Sequence, residues 1–299
     1  MNPETCVLGF PDCATGAPNL AEQLRVDYRQ VEIHQFPDGE SKLVLPATLP
    51  EHLIIYLALD RPNEKLVELM LAAEGARELG AKSITLVAPY LCYMRQDKAF
   101  QAGEVVSQKV IGRFLASHFD AVVTVDAHLH RIAQLSQAIP LQRALNLNAT
   151  GAMGLFLRDN CQQPLLVGPD AESEQWVAAI AKEARLDYCI AQKNRLGDKD
   201  VDVRLPDYEF AGRDVVLIDD VASTGHTLEK AATELISRAV ASVSVLVTHA
   251  LFADDACSRL EQAGVENIWS CDSIPHHSNR LSLAPVLAAG LHQLLDKHK

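Results

Sequence analysis

Short apolar runs alternate with amphipathic stretches along the whole chain. The runs at 53–59 (LIIYLAL), 83–88 (SITLVA), 121–125 (AVVTV), 165–168 (LLVG), 215–218 (VVLI) and 243–248 carry almost no polar residues. Strands covered on both faces of a parallel sheet read this way. Shorter strand candidates lie at 6–9, 31–36, 188–191 and 267–270. Between them a 3.6-residue period predicts helices around 18–25 and over 64–79, 107–118, 173–185, 228–239, 254–263 and 284–297. In 64–79, Leu66, Leu69, Met70, Ala73, Ala76 and Leu79 share a face, with Asn63 as N-cap and Gly80 as C-cap. In 107–118 the inward residues are expected to be Val110, Ile111, Phe114 and Leu115, and in 173–185 Trp176, Val177, Ile180 and Ala184. Alternation of this kind predicts an α/β fold with parallel sheets. VVTVDAHLH (122–130) and VVLIDDVAS (215–223) also resemble each other, both being apolar strands that end on acids. We therefore expect two similar domains, 1–145 and 146–299, each a mainly parallel sheet flanked by helices, joined in the polar stretch NLNATG.

Composition narrows the function classes. With 299 residues, 48% of them hydrophobic, the chain can bury a large core. No apolar run approaches membrane-spanning length, and the N-terminus MNPETCVLGF lacks the features of a secretory signal, so a cytoplasmic protein is expected. Seven cysteines without a CxxC pair point to reduced thiols. A net charge of −12 argues against a broad nucleic-acid surface. Any phosphate must then be held by local basic groups, backbone amides and metal ions. There is no GxxxxGK[ST] loop and no GxGxxG after a strand. The acids at 126, 170, 219 and 220 all sit at carboxyl ends of strands, where open α/β sheets bind ligands. His276 and His277 are expected to be surface residues, since neighbours on a strand point apart.

VVLIDDVASTGHT (215–227) concentrates the chemistry. A buried strand runs into Asp219 and Asp220, then into Ser223, Thr224, Gly225, His226 and Thr227, and a helical pattern follows at once. Amides of such a turn and the helix N-terminus can receive a phosphate, and two carboxylates beside it can grip vicinal hydroxyls. A pentose 5-phosphate fits this layout. Taken singly, FPDGE (36–40) reads as a turn and PYLCYMRQDK (89–98) as a polar loop after a strand. FQAGEVVSQK (100–109) adds a Gly-centred segment and a helix start.

The 215–227 stretch resembles the phosphoribosyl diphosphate (PRPP) signature shared by type I phosphoribosyltransferases and PRPP synthetases. Together with FPDGE, RQDK and the following segment, in this order and spacing, the chain from about 31 to 275 resembles the PRPP synthetase (ribose-phosphate diphosphokinase) family, in its archaeal type. The resemblance implies two phosphoribosyltransferase-like domains. It implies transfer of the diphosphoryl group of ATP to the C1 hydroxyl of ribose 5-phosphate, with Mg²⁺ as cofactor and at least a homodimer as the active form. Phe36, Asp38 and Glu40 would hold adenosine, reaching across from a neighbouring subunit. Arg95 and Gln96 would complete the ATP site, with Asp97 and Lys98 near its rim. His128 and Asp170 would be metal-associated, and Lys193 and Arg195 would be the basic pair of a catalytic lid. Asp219, Asp220, Ser223, Thr224, Gly225, His226 and Thr227 would hold ribose 5-phosphate. Two places depart from the family pattern: Ala171-Glu172-Ser173-Glu174 replaces a small, Gly-containing stretch, and His226 stands where Gly is common. Two other readings remain, a catalytically silent paralogue that regulates a synthetase, and a phosphoribosyltransferase for a base.

Overall fold

The apolar runs pair as parallel strands, because only a sheet covered on both faces can bury them. A computed structural model describes residues 5–129, 131–195 and 201–296, and the side chains of 193–195, 201, 202, 295 and 296 lie outside that description. The chain forms two compact units, which divide at 148/149, and the segment from Leu283 onward returns to the first.

The first unit contains β1 (Thr5–Gly9), α1 (Gly16–Leu24), β2 (Asp27–Gln30), β3 (Glu32–Gln35), β4 (Ser41–Val44), β5 (His52–Tyr56), α2 (Pro62–Glu78), β6 (Ser83–Ala88), α3 (Ser107–His118), β7 (Ala121–Val125) and β8 (Ala144–Leu147). The second contains α4 (Thr150–Asn160), β9 (Leu165–Gly168), α5 (Glu174–Ala184), β10 (Tyr188–Ile190), β11 (Gln192–Arg195), β12 (Val201–Arg204), β13 (Asp214–Ala222), α6 (His226–Ser237), β14 (Ser242–Ala250), α7 (Ala256–Gln262), β15 (Asn267–Cys271) and β16 (Asn279–Leu281). The last helix, α8 (Ala284–Asp296), packs on α1, β7 and β8 of the first unit.

Each unit is built on a six-stranded sheet, ordered β2-β1-β5-β6-β7-β8 in the first and β10-β9-β13-β14-β15-β16 in the second. The pairings within both are parallel. The two orders are the same once strands are matched in sequence. In both, an antiparallel hairpin (β3–β4, β11–β12) leaves the sheet after its second strand. Central strands supply the cores: Leu8, Ile55, Leu86 and Val123 in one unit, and Leu165, Leu217 and Val245 in the other, are completely buried. Each such side chain contributes about 1.5–3 kcal/mol. The same burial raises the thiols of Cys6, Cys13 and Cys189 to about 11 and of Cys92 to about 12. All seven cysteines are free thiols. No helix among the described residues is long and apolar enough to cross a membrane.

Several local expectations change. The expected boundary at 145/146 falls inside β8, whose partner β7 holds it in the first unit. The NLNATG stretch leads directly into α4, whose Met153, Gly154 and Leu157 are buried. In α2 the N-cap is Arg61 in a left-handed conformation (φ +47), with Pro62 in the first turn. Asn63 lies inside the helix, where its Oδ1 accepts from the Tyr93 hydroxyl. Leu79 is exposed because the helix ends there and the chain turns at Gly80. Val110 is exposed because α3 presents Gln108, Gly112 and Leu115 inward instead. A Cβ at Gly112 would collide with the Ala138 carbonyl, so this face lies closest to its neighbour.

Candidate active site

At the carboxyl end of β13 the chain turns from apolar to acidic without leaving the sheet. Val215 to Ile218 are buried, and pairing with β14 continues through Asp219 to Ala222. The strand is therefore longer than its apolar run. Asp219 Oδ1 accepts from the Asp220 N–H at 3.0 Å, and Asp220 Oδ1 from the Val221 N–H at 2.8 Å. Burial first, then the carboxylates of Asp220 and Asp170, raise Asp219 well above the ordinary value. Asp219 is only half-buried by surface area. The direction of its shift therefore stands on the neighbouring charges as well as on desolvation.

Ser223 and Thr224 form the turn that follows. The N–H groups of Phe252 and Ala253 donate to Ala222 O and Ser223 O, both at 2.8 Å, and tie the turn to the loop after β14. Gly225 is the N-cap of α6, with φ +72, a conformation that a side chain disfavours. A Cβ there would also stand 3.3 Å from Ala256 Cβ. Glycine brings no capping oxygen, so no side chain caps the first turn of α6, which begins at His226. Amides left in this way are an anion site. The His226 side chain is turned to Glu229, with Nδ1 3.4 Å from Oε2.

Asp170, just after β9, caps a tight helical turn at 171–173: its Oδ1 accepts from Glu172 N–H at 3.1 Å and Ser173 N–H at 3.2 Å. Glu172 and Glu174 are exposed. They sit about the start of α5, where acids are favourable. Ser173 is buried, and its hydroxyl donates to Asp170 O at 2.6 Å. The backbone of Lys193 and Arg195 runs in β11, opposite Val203 and Val201 of β12. Their side chains lie outside the described residues.

In the first unit FPDGE is the turn of the β3–β4 hairpin. Phe36 N–H donates to Glu40 O at 2.8 Å, Gly39 N–H to Phe36 O at 2.9 Å, and Glu40 N–H to Asp38 Oδ1 at 3.2 Å. Asp38 thus shapes the turn, while Phe36 is 41% exposed, edge-on to His34. The loop between β6 and α3 carries Arg95, Gln96, Asp97 and Lys98. Arg95 and Lys98 are exposed, with Lys98 Nζ 4.6 Å over the Phe100 ring. Gln96 is held at both ends, donating to Glu104 Oε1 at 2.8 Å and accepting from Ser107 Oγ at 3.0 Å. The Asp97 side chain is buried, Oδ1 pairing with Arg131, while Oδ2 has no hydrogen-bond partner among the described residues. His128 is half-buried just past β7, and Asp126 before it is buried with φ +41.

This unit also has a strand-end cavity of about 670 Å³, lined by Phe10, Asp12, Ile33, Arg61, Lys65 and Glu68 among others. Lys65 Nζ lies 2.7 Å from Asp60 Oδ1, 3.0 Å from Ala58 O and 3.3 Å from Asp12 Oδ2.

Known proteins share this pairing of units. Residues 7–118 match the N-terminal domain of ribose phosphate pyrophosphokinase, and residues 141–283 match the phosphoribosyl transferase domain. A ribose-phosphate pyrophosphokinase of Methanopyrus kandleri is 30% identical over 92% of this chain and 94% of its own. The chain belongs to the ribose-phosphate pyrophosphokinase family. Another archaeal pyrophosphokinase, of Methanosarcina mazei, is 31% identical over 95% of this chain and 94% of its own. The fold matches that of phosphoribosylpyrophosphate synthetase from Mycobacterium smegmatis, with a TM-score of 0.79 and 21% identity over 98% of this chain and 99% of that one. Pyrophosphokinases are diphosphotransferases, and both units of this chain have the phosphoribosyltransferase-like architecture expected from the sequence.

Three residues that hold these candidate side chains in place were not named from the sequence. Arg259, on α7, donates from Nη2 to Thr224 O at 2.6 Å and from Nε to Glu229 Oε2 at 3.2 Å, and it pairs with Asp255. Glu104 gathers the N–H groups of Phe100 (2.7 Å) and Gln101 (3.1 Å). Those N–H groups hold its carboxyl below the ordinary range. Arg131 fixes Asp97. Arg259 and Arg131 act across proximities made by folding, whereas Glu104 closes its own loop. Arg259 had no signal beyond being one basic residue in a short helix, and Glu104 only a place beside a glycine.

The donor chemistry suits a hard cation. Mg²⁺ takes oxygen ligands and keeps most of its waters. Asp219, Asp220 and Asp170 offer carboxylate oxygens, and the raised Asp219 marks crowded negative charge that a divalent ion would relieve. One oxygen of Asp170 is already committed to two N–H groups, which suits a hydrated ion better than a closed cage. His128 belongs to the first unit and Asp170 to the second.

Proposed function

We propose that this chain is a Mg²⁺-dependent ribose-phosphate diphosphokinase, giving PRPP and AMP from ATP and ribose 5-phosphate. One observation carries the reading. A strand that stays in the sheet through two adjacent carboxylates runs into a helix start with no side-chain cap, closed by Gly225 in a conformation suited to glycine. The amides from His226 and Thr227, with Ser223 and Thr224 beside them, receive the 5-phosphate. Asp219 and Asp220 grip the ribose hydroxyls and orient C1–OH toward the β-phosphorus. Asp97, with Oδ2 unsatisfied among the described residues, offers an acceptor beside the exposed Arg95 and the braced Gln96. Phe36 is an exposed aromatic on a hairpin tip, suited to stacking on adenine in a second copy, so the active form is at least a homodimer. Lys193 and Arg195 supply cations to the developing phosphoryl charge from the β11–β12 hairpin. A Mg²⁺ held near Asp170 would neutralise phosphate oxygens and fix their orientation, and His128, within the first unit, is proposed as a second metal-associated position. Such a reaction needs positioning and electrostatic stabilisation more than covalent chemistry. Its substrates are small soluble molecules, in keeping with a cytoplasmic protein that contacts neither nucleic acid nor membrane.

Incubation of the full-length protein with ATP, Mg²⁺ and ribose 5-phosphate should release AMP and PRPP in equal amounts. No AMP with any divalent metal would overturn the reading in favour of a silent regulatory paralogue. Consumption of PRPP with a free base, releasing pyrophosphate, would make the chain a phosphoribosyltransferase. Lys193→Ala should lower turnover about 10²–10³-fold while ribose 5-phosphate binding survives. Equal loss of both would contradict the lid role.

A further inference from the structure

The turn between β15 and β16 does not place His276 and His277 as neighbours on a strand would stand. They lie in a turn with ring centroids 4.1 Å apart and planes 38° from each other. Residue 257 on α7 comes to the same spot: one ligand atom each from Cys257, His276 and His277 lie within 4.8 Å of one another. Among the described residues this is the group of three metal-binding side chains that the fold brings together.

The geometry points to a binding site for a borderline-to-soft transition metal, of the Zn²⁺ or Co²⁺ class, at Cys257, His276 and His277. Ligand type selects the ion. A thiolate and two imidazoles, with no carboxylate, disfavour Mg²⁺ and Ca²⁺ and suit tetrahedral zinc or cobalt, with water in the fourth position. Metal–sulfur and metal–nitrogen bonds of tetrahedral zinc place their donors about 3.3–3.6 Å apart. Binding would have to draw these atoms together from the present spread, by side-chain rotation at Cys257 and at the exposed His277.

The turn is built to keep His276 in place. Its N–H donates to Asn279 Oδ1 at 2.9 Å, and Asn279 Nδ2 donates onward to Cys271 O at 2.8 Å. The imidazole packs on Phe252 with centroids 5.2 Å apart. Its Nδ1 lies 2.7 Å from Ser278 Oγ, which is itself 2.7 Å from Ser270 Oγ. The Ser278 N–H donates to the same Nδ1 at 3.2 Å, so Nδ1 accepts and the Ser278 hydroxyl can donate to it as well. These two contacts fix the ring. A metal at Nε2 would shift the ring proton to Nδ1, where it would donate to the Ser278 hydroxyl in place of the N–H contact, a kind of hydrogen bond that orients metal-bound histidines generally. Cys257 is half-buried and Ser278 fully buried, so the thiol and its surroundings are partly shielded from water while His277 keeps the site open to an entering ion. On binding, the Cys257 S–H bond breaks, a sulfur–metal bond forms, and the proton leaves to solvent.

The site would clamp α7 to the β15–β16 turn. On α7, Ala256 abuts Gly225, and Arg259 holds the Thr224 carbonyl. A metal at Cys257 therefore stiffens the support of the 223–225 turn from behind. This consequence for substrate rests on the ribose 5-phosphate reading, whereas metal binding itself does not.

The test is a Co²⁺ titration of the full-length reduced protein, followed by its thiolate-to-cobalt charge-transfer absorption and the visible bands of a tetrahedral ion. One equivalent per chain should give both, Zn²⁺ should displace it, and hydrogen exchange of the α7 amides should slow. Cys257→Ser should abolish the charge-transfer band. His277→Ala, at an exposed position that leaves folding intact, should weaken binding at least about 10-fold, the scale of losing part of a metal's coordination. No thiolate band, a band unchanged in Cys257→Ser, or unchanged affinity in His277→Ala would each overturn the site. An inactive enzyme that still binds cobalt in this way would overturn only the reading of the ribose 5-phosphate turn.

Discussion

The two units share a sheet order yet differ at one junction, where the strand next to the edge pair meets its helix. In the first unit, β5 leads through Asp60 and Arg61 directly to Pro62 of α2, and Lys65 turns back to neutralise Asp60 and Asp12. In the second, β13 carries Asp219 and Asp220, then a turn of small residues, before α6 starts. The first junction satisfies its own charge. In the second, burial first and then the neighbouring Asp220 and Asp170 raise the proton affinity of Asp219. Asp12 follows β1 as Asp170 follows β9, each behind a proline. One copy of the same architecture pairs its strand-end acids with a lysine, and the other sets its acids side by side.

Neutralising one carboxylate at each junction separates them most sharply. Asp60→Asn should cost about 3–5 kcal/mol of stability, because it removes the nearest counter-charge of the buried Lys65, yet leave the KM for ribose 5-phosphate unchanged. Denaturant unfolding and steady-state kinetics check the two halves of that statement. Asp219→Asn should do the opposite: turnover falls about 100-fold or more, while the free protein becomes more stable at neutral pH. The sign follows from the raised value. A carboxyl that binds its proton more tightly when folded weakens the fold as pH rises from its ordinary 3.8 toward the raised value, and costs nothing well below 3.8. Thermal melts across that window should slope downward with pH in the wild type and flatten in Asp219→Asn. An unchanged slope would sink this account.

Smaller effects sharpen the picture of the turn. Gly225→Ala should lose about 1–2 kcal/mol through its positive φ, with a larger rise in KM than in melting behaviour. Arg259→Met should raise the KM for ribose 5-phosphate about 10-fold with little change in kcat at saturation, and Arg259→Lys should recover part of it. Equal effects on both constants would mean that Arg259 does more than position Thr224. Least of all, Glu104→Gln should raise the KM for ATP a few-fold, about what two weakened charge-assisted N–H bonds at a fully exposed carboxylate amount to.

Much of the architecture was legible because parallel strands are written as unbroken apolar runs. SITLVA became β6 and SQKVIGRFLASH became α3, residue for residue. Extension of β13 into its acids was not legible, since pairing with β14 stabilises a backbone whose side chains argue for a loop. The hairpin β11–β12 was hidden for a like reason, its sequence reading as a charged connector. The site residues named from the sequence fall at or just after strand ends, in the turn and helix start that follow β13, on the hairpins or in the β6–α3 loop. What the sequence could not reveal were partners made by folding: Asp97 with Arg131, Thr224 with Arg259, Cys257 with the histidine pair. His276 and His277 show the cost of a strand assumption, because two residues in a turn can present their rings to each other.

The return of α8 to the first unit has a consequence for how the chain comes into being. Residues 149–282 are contiguous, so every strand of the second sheet is available once they leave the ribosome. The first sheet waits for α8, since its β7–β8 end and α1 lie beneath that helix, with Leu147 pressed to Gly290. The N-terminal unit, synthesised first, is thus completed last, reversing the usual N-to-C order of domain folding. Chains that end just after 282 and are released from the ribosome should protect the second unit from protease and leave the first open to it. Equal protection of both would contradict that order.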